Sequence, residues 1–259
     1  MRRWSVVPAM AAAALAVGVG TAAAQGAVTS EAIAKANNPL AEMNAVNLQD
    51  YYTPAFNGSA SARANTLNVR GVIVTGRQVI RATLPVVSNA AASGLGDLNV
   101  FDAFLLTGSG ARTQFGVGPL LVIPTNTSDA LGAGSSWQLG GAAVLVHSLP
   151  GGSLVGGLLT WQTDVVGGDN RVDTNLGTAQ LFATFPIGNG WYVRSSPLAL
   201  FDFENDRYLV PFGLGVGKVF PVGGMLANAF LEPQVTAFYH GAGQPAIQIF
   251  SGLNLQFGR

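Results

Sequence analysis

Residues 246–257 read A-I-Q-I-F-S-G-L-N-L-Q-F, and their alternation decides the fold. Ile247, Ile249, Leu253, Leu255 and Phe257 share one parity; Gln248, Gly252, Asn254 and Gln256 share the other, with Phe250 and Ser251 as exceptions. A strand turns successive side chains to opposite faces, so the stretch predicts one apolar and one polar face. Soluble sheets alternate too. The rest of the chain separates the two cases.

Met1-Arg2-Arg3, an apolar run through Val6, Val7, Ala11–Leu15 and Val17, then Thr21-Ala22-Ala23-Ala24 follow the order of a secretory signal peptide. It is expected over residues 1–24. The run is short and rich in Ala and Gly for a membrane anchor. Without Arg2 and Arg3 the 13 Lys and Arg become 11, against 13 acids, a balance of −2. That excludes electrostatic attraction to nucleic acid. Zero Cys removes disulfides, thiolate chemistry and Cys-based zinc sites. Mean hydropathy is +0.36 with 10% charged residues, whereas soluble domains carry about 25% charge. Yet beyond residue 24 no run of about 18 apolar residues occurs, so no spanning helix is expected. Apolarity delivered in short alternating pieces suits a barrel wall, where a closed sheet pairs every backbone group.

Residues 25–45 form a separate N-terminal segment. Ser30 is expected to cap a short helix, with Glu31 in its first turn and Pro39 stopping it after Asn37-Asn38. The segment reads equally as a plug inside a barrel or as a periplasmic tail. Residues 46–259 are the expected barrel, with strands at 46–56, 64–74, 77–87, 97–106, 113–123, 136–147, 154–165, 174–185, 190–202, 207–220, 225–239 and 245–257. About ten residues is the length a tilted spanning strand needs. Longer or polar connectors alternate with tighter ones such as Thr75-Gly76 and Ile187–Asn189, which places both termini on one side. The expected class is all-β: a transmembrane antiparallel up-and-down β-barrel of about twelve strands, ten to fourteen being compatible, with a short N-terminal helix.

Parity assigns the faces. Ile80, Ala82, Leu84 and Val86 are expected toward lipid, as are Ala179, Leu181, Ala183, Phe185, Ala229, Leu231, Val235, Ala237 and Tyr239. The expected lumen set is Arg70, Arg77, Arg81, Thr178, Gln180, Arg194, Asn228, Glu232, Gln234, Gln248, Asn254 and Gln256. A charge facing the lipid midplane costs about 2–4 kcal/mol, which sends Arg81, Arg194 and Glu232 inward. Asp97 and Asn99 oppose Asp102 in parity, so strand 97–106 needs a bulge or a strand-end position. Trp137, Trp161, Trp191, Tyr192, Tyr208 and Tyr239 are expected at interfacial girdles.

Other constellations carry less. Gly213, Gly215 and Gly217 lack the spacing of a nucleotide loop and read as inward glycines that give room to neighbours. A Ser-His lipid hydrolase would need His147 or His240, which are expected at opposite ends of the barrel without a third partner. Asp129, Asp164, Asp169, Asp173, Glu204 and Asp206 read as solvated loop acids rather than a cation site. No catalytic residue, metal site or cofactor is expected. The lumen set reads either as a filter for passing solutes or as a bonded network that closes a narrow barrel.

Ordered phrases across the chain resemble a known family: Asn38-Pro39-Leu40-Ala41 with Asn47-Leu48-Gln49; Arg81-Ala82-Thr83-Leu84-Pro85-Val86-Val87; Ser93-Gly94-Leu95-Gly96-Asp97; Gly116-Val117-Gly118-Pro119 with Ile123-Pro124-Thr125; Leu131-Gly132-Ala133-Gly134 before Trp137; and Val210 through Phe220. These are similar to the outer-membrane β-barrel family linked to the meta-pathway of phenol degradation, whose members are labelled transporters or mislabelled neuromedin U. The resemblance implies an exported barrel of the bacterial outer membrane that passes small hydrophobic or aromatic molecules. The expected partners are the lipid bilayer, the outer-membrane assembly machinery and a small solute that the sequence does not identify. The alternative is a non-conducting structural or adhesion barrel.

Overall fold

The alternation at 246–257 is realised in the last strand of a closed sheet. The structure, a computed structural model, describes residues 28–59, 61–108 and 110–258; the expected signal peptide lies outside the described residues. Helix α1 spans Ser30–Asn37, and the wall strands are β1 (Asn44–Phe56), β2 (Ala64–Thr75), β3 (Gln78–Ser88), β4 (Leu98–Leu105), β5 (Thr113–Ile123), β6 (Trp137–Ser148), β7 (Leu154–Val166) and β8 (Asn175–Gly188). Strand β9 comes in two pieces (Trp191–Ser195 and Leu198–Asp202), as does β10 (Arg207–Gly213 and Gly215–Val222), followed by β11 (Met225–His240) and β12 (Pro245–Phe257). Each pairs antiparallel with the next, and β12 pairs back onto β1 from Asn44↔Phe257 upward. Twelve strands about 4.8 Å apart and tilted by about 40° close into a cylinder about 24 Å across at the backbone. That is wide enough to leave space between opposed walls.

One end carries tight turns and both strand termini. There Asn189-Gly190 (φ 51° and 80°) and Gly223-Gly224 (φ 53° and 82°) supply the left-handed pair that two-residue hairpins require. The other end carries the longer loops. Asp97 organises the largest of these: its carboxylate accepts from Asn126 N, Asn126 Nδ2 and Ala133 N at 2.7–3.2 Å. The phrases 93–97 and 131–134, remote in sequence, therefore meet in one loop network.

The outer surface is an apolar belt. Leu181, Leu159, Phe212 and Val235 are among its exposed members. So large an apolar surface is stable against acyl chains rather than water. The two exceptions in β12 obey parity after all. Phe250 turns inward and stacks on Tyr51 (centroids 4.2 Å apart) and edge-on to Phe230 (4.8 Å), while Ser251 stands outward, opposite Asp50.

Several expectations are corrected. Thr29, not Ser30, caps α1, its Oγ1 accepting from Ala32 N. Tyr192 belongs to no girdle: it is fully buried inside, its hydroxyl donating to Asn228 Oδ1. A register slip at Val210/Pro211 pairs Phe238 with Val210, on the outer side of Phe212, and puts Tyr239 opposite Leu209 on the inner parity. Asp102 points outward near the tight-turn end, where Gln78 Nε2 donates to it at 2.7 Å. Asp102 lies within β4 rather than at its end, so its conflict with Asn99 is met by that side-chain bond.

Candidate functional site

The interior has two chemically distinct walls. Among the inward positions of β3–β7, Val79, Phe101, Leu120, Val144 and Leu158 form one buried apolar cluster around Leu40 of the N-terminal segment. The other sector is mainly polar: Gln180, Arg194, Glu232, Asn254, Asn47 and Gln49 from β8–β12 and β1, joined by Arg70 of β2 and Arg81 of β3.

The centre of the polar wall is Glu232, which is 0% exposed. Arg194 Nε donates to it at 2.8 Å, Ser196 N at 2.8 Å and Gln234 Nε2 at 2.9 Å. Three charge-assisted bonds repay the loss of hydration of a buried carboxylate. The chain is built locally to allow this. Pro197 interrupts β9, so the Ser196 N–H leaves the ladder and turns to Glu232. Gln180 Nε2 then donates to the Ser196 carbonyl and hydroxyl oxygens. Arg194 also lies over the Phe230 ring at 3.7 Å. Opposite this network the row Gly213, Gly215, Gly217 carries no side chains. A Cβ on Gly217 would fall 2.2 Å from the Tyr192 ring, and one on Gly213 would fall 2.5 Å from Glu232 Oε1.

The N-terminal segment enters the barrel at the tight-turn end. Ile33 and Ala36 bury against Tyr192 and Val219. Asn228 Nδ2 donates to Ala36 O (3.1 Å) and Asn37 Oδ1 (3.2 Å), and Gln256 Nε2 donates to Ala36 O (3.0 Å). From the other side Asn38 Nδ2 donates to Gln114 Oε1 at 2.7 Å. Asn228 and Gln256 thus hold the segment, while Gln114 completes the grip.

Above the segment lies a cavity of about 150 Å³. Its polar lining includes Arg70, Arg81, Arg194, Gln180, Asn254 and Gln256; its apolar lining includes Val79, Val144, Leu158 and Phe182. Arg70 Nε donates to Thr83 Oγ1 at 3.0 Å and its Nη1 to Gln49 Oε1 at 2.9 Å. Arg81 lies 4.1 Å over the Phe101 ring. Nearer the loop end, Thr178 shares a 2.7 Å hydroxyl contact with Thr160, and Gln248 Nε2 reaches Thr53 Oγ1 at 3.4 Å. Arg77 is a correction: it occupies the turn after β2, exposed, its Nε on Leu105 O at 2.8 Å, because the strand ends before its inward parity takes effect.

Several of the loop acids are partnered. Arg171 meets Asp164 (3.5 Å) and Asp173 (3.1 Å), and Arg207 meets Asp202 (2.7 Å). His147 bonds to Thr113 beside a tight turn, and His240 faces Asp206 at the loop end. The histidines stand at opposite ends of the cylinder.

No family model matches this chain, and no curated protein matches it. Among solved structures it is similar to the COG4313 outer membrane channel from Pseudomonas putida F1, at 16% identity and a TM-score of 0.61, over 83% of this chain and 94% of that one. It is also similar to the NanC porin, at 9% identity and a TM-score of 0.54, over 83% of this chain and 100% of that one. The likeness is one of fold. At these identities the side chains of the lumen are this chain's own.

Proposed function

We propose that this protein is a channel of the bacterial outer membrane, passing small hydrophobic or aromatic molecules by passive diffusion along its two-sided lumen. The observation that carries the reading is the cavity at mid-barrel: it lies between a polar and an apolar wall and borders the N-terminal segment. A second pocket at the tight-turn end shares Asn38 and Ala41 with it. The two spaces are therefore separated by a few residues held through the Asn38–Gln114 bond. A bacterial barrel keeps its short turns and termini on the periplasmic side, which makes residues 28–45 a periplasmic constriction that regulates exit. The fold shared with an outer membrane channel and a porin, together with the phrases resembling the phenol meta-pathway family, supports this assignment and the class of solute.

A second reading, a non-conducting structural barrel, is favoured by the fully buried Glu232 network and the grip on α1. Planar-bilayer recording and liposome swelling separate the two. The channel reading expects small-solute flux that rises when residues 25–45 are removed. Absence of conductance and flux, with or without the segment, establishes the structural barrel instead.

A further inference from the structure

The cavity is lined by two arginines that no carboxylate among the described residues pairs with. Arg70 lies opposite Thr83 and Arg81 opposite Val72, so the two cations are diagonal neighbours on β2 and β3. Arg70 donates to the neutral oxygens of Thr83 and Gln49. Arg81 leans on Phe101, and its buried Nε has no hydrogen-bond partner among the described residues. No ion pair among the described residues includes either arginine. Glu232, the buried carboxylate of the lumen, is already occupied by Arg194, Ser196 and Gln234. Two like charges withdrawn from bulk water are unfavourable until an anion joins them. Arginine is suited to such an anion because its fork matches a carboxylate.

Across the cavity Val144, Leu158 and Phe182 offer a hydrocarbon an apolar surface. The cavity measures about 150 Å³, and an apolar cavity of about 150 Å³ admits one benzene ring. We propose that the lumen selects small organic monocarboxylates whose apolar body is about the size of one aromatic ring. The carboxylate sits on Arg70 and Arg81 and the ring on Val144, Leu158 and Phe182. Binding follows from the cavity alone; passage rests on the channel reading above.

Benzoate and benzamide are the probes, since they share the ring and differ in charge. Calorimetric titration of the mature protein in detergent is expected to show benzoate binding at least about tenfold tighter than benzamide, and that preference is expected to vanish in Arg81→Gln. Removing one of two unbalanced cations relieves repulsion, so this variant keeps its fold, which heat-modifiable gel migration verifies. Leu158→Asn provides an independent arm, weakening benzoate and benzamide alike. Equal affinity for the two ligands, or an unchanged preference in Arg81→Gln, overturns the proposal. Swelling of liposomes in each solute isolates the channel reading: benzamide flux without benzoate preference sinks the carboxylate site alone. Benzoate binding without any flux retains the site and sinks the channel.

Discussion

Glu232 and Asp202 both face an arginine, yet the environments make them unequal. The Arg194–Glu232 pair has side chains 10% and 0% exposed; Arg207–Asp202 has 43% and 14%. An exposed pair is screened and contributes about 0–1 kcal/mol. Breaking a buried one strands a charge at a cost of about 3–5 kcal/mol. Glu232→Gln, nearly isosteric, is therefore expected to destabilise the barrel by about 3–5 kcal/mol, and Arg207→Ala by no more than about 1 kcal/mol. Urea unfolding in detergent or liposomes checks both. At the same scale Gly217→Leu is expected to abolish the folded, heat-modifiable species, because its Cβ meets the Tyr192 ring.

Among the elements, α1 stands outside the closed ladder of strands that makes the wall. Two amides from β11 and β12 hold its C-terminal turn, and Gln114 holds the residue after it. Asn228→Ala with Gln256→Ala is expected to loosen residues 28–43, raising single-channel conductance and exposing the segment to added protease while the barrel stays resistant. How far the elements were legible follows from their chemistry. Strands such as β3 and β12 alternate apolar with polar, so parity named their faces directly. Strands β5 and β6 are apolar on both faces: Leu120, Val144 and Val146 point in, Leu121 and Leu145 out. Periodicity cannot orient such a strand, and the apolar wall went unread until register was known. The bulge that reverses Tyr239 and the turn that strands Arg77 failed for another reason. Both depend on a one-residue displacement that only pairing reveals. The conflict between Phe250 and its neighbours was a signal of a different kind: an aromatic on the polar parity marked the Tyr51–Phe230–Arg194 stack.

At the scale of the whole molecule, one wall separates oil outside from a two-sided lumen inside. Leu181 is 69% exposed on the outer belt, and Leu181→Arg is expected to cost about 2–4 kcal/mol near the midplane and to depress insertion into liposomes. The most direct measurement uses the preceding residue as well. The chain has no Cys, so Gln180→Cys and Leu181→Cys each create a lone thiol, one lining the cavity and one on the belt. With a membrane-impermeant, water-soluble thiol reagent on the protein in bilayers, Gln180→Cys is expected to react and to lose current, while Leu181→Cys stays unmodified. Equal labelling of the two thiols, or labelling of Leu181→Cys alone, contradicts the account.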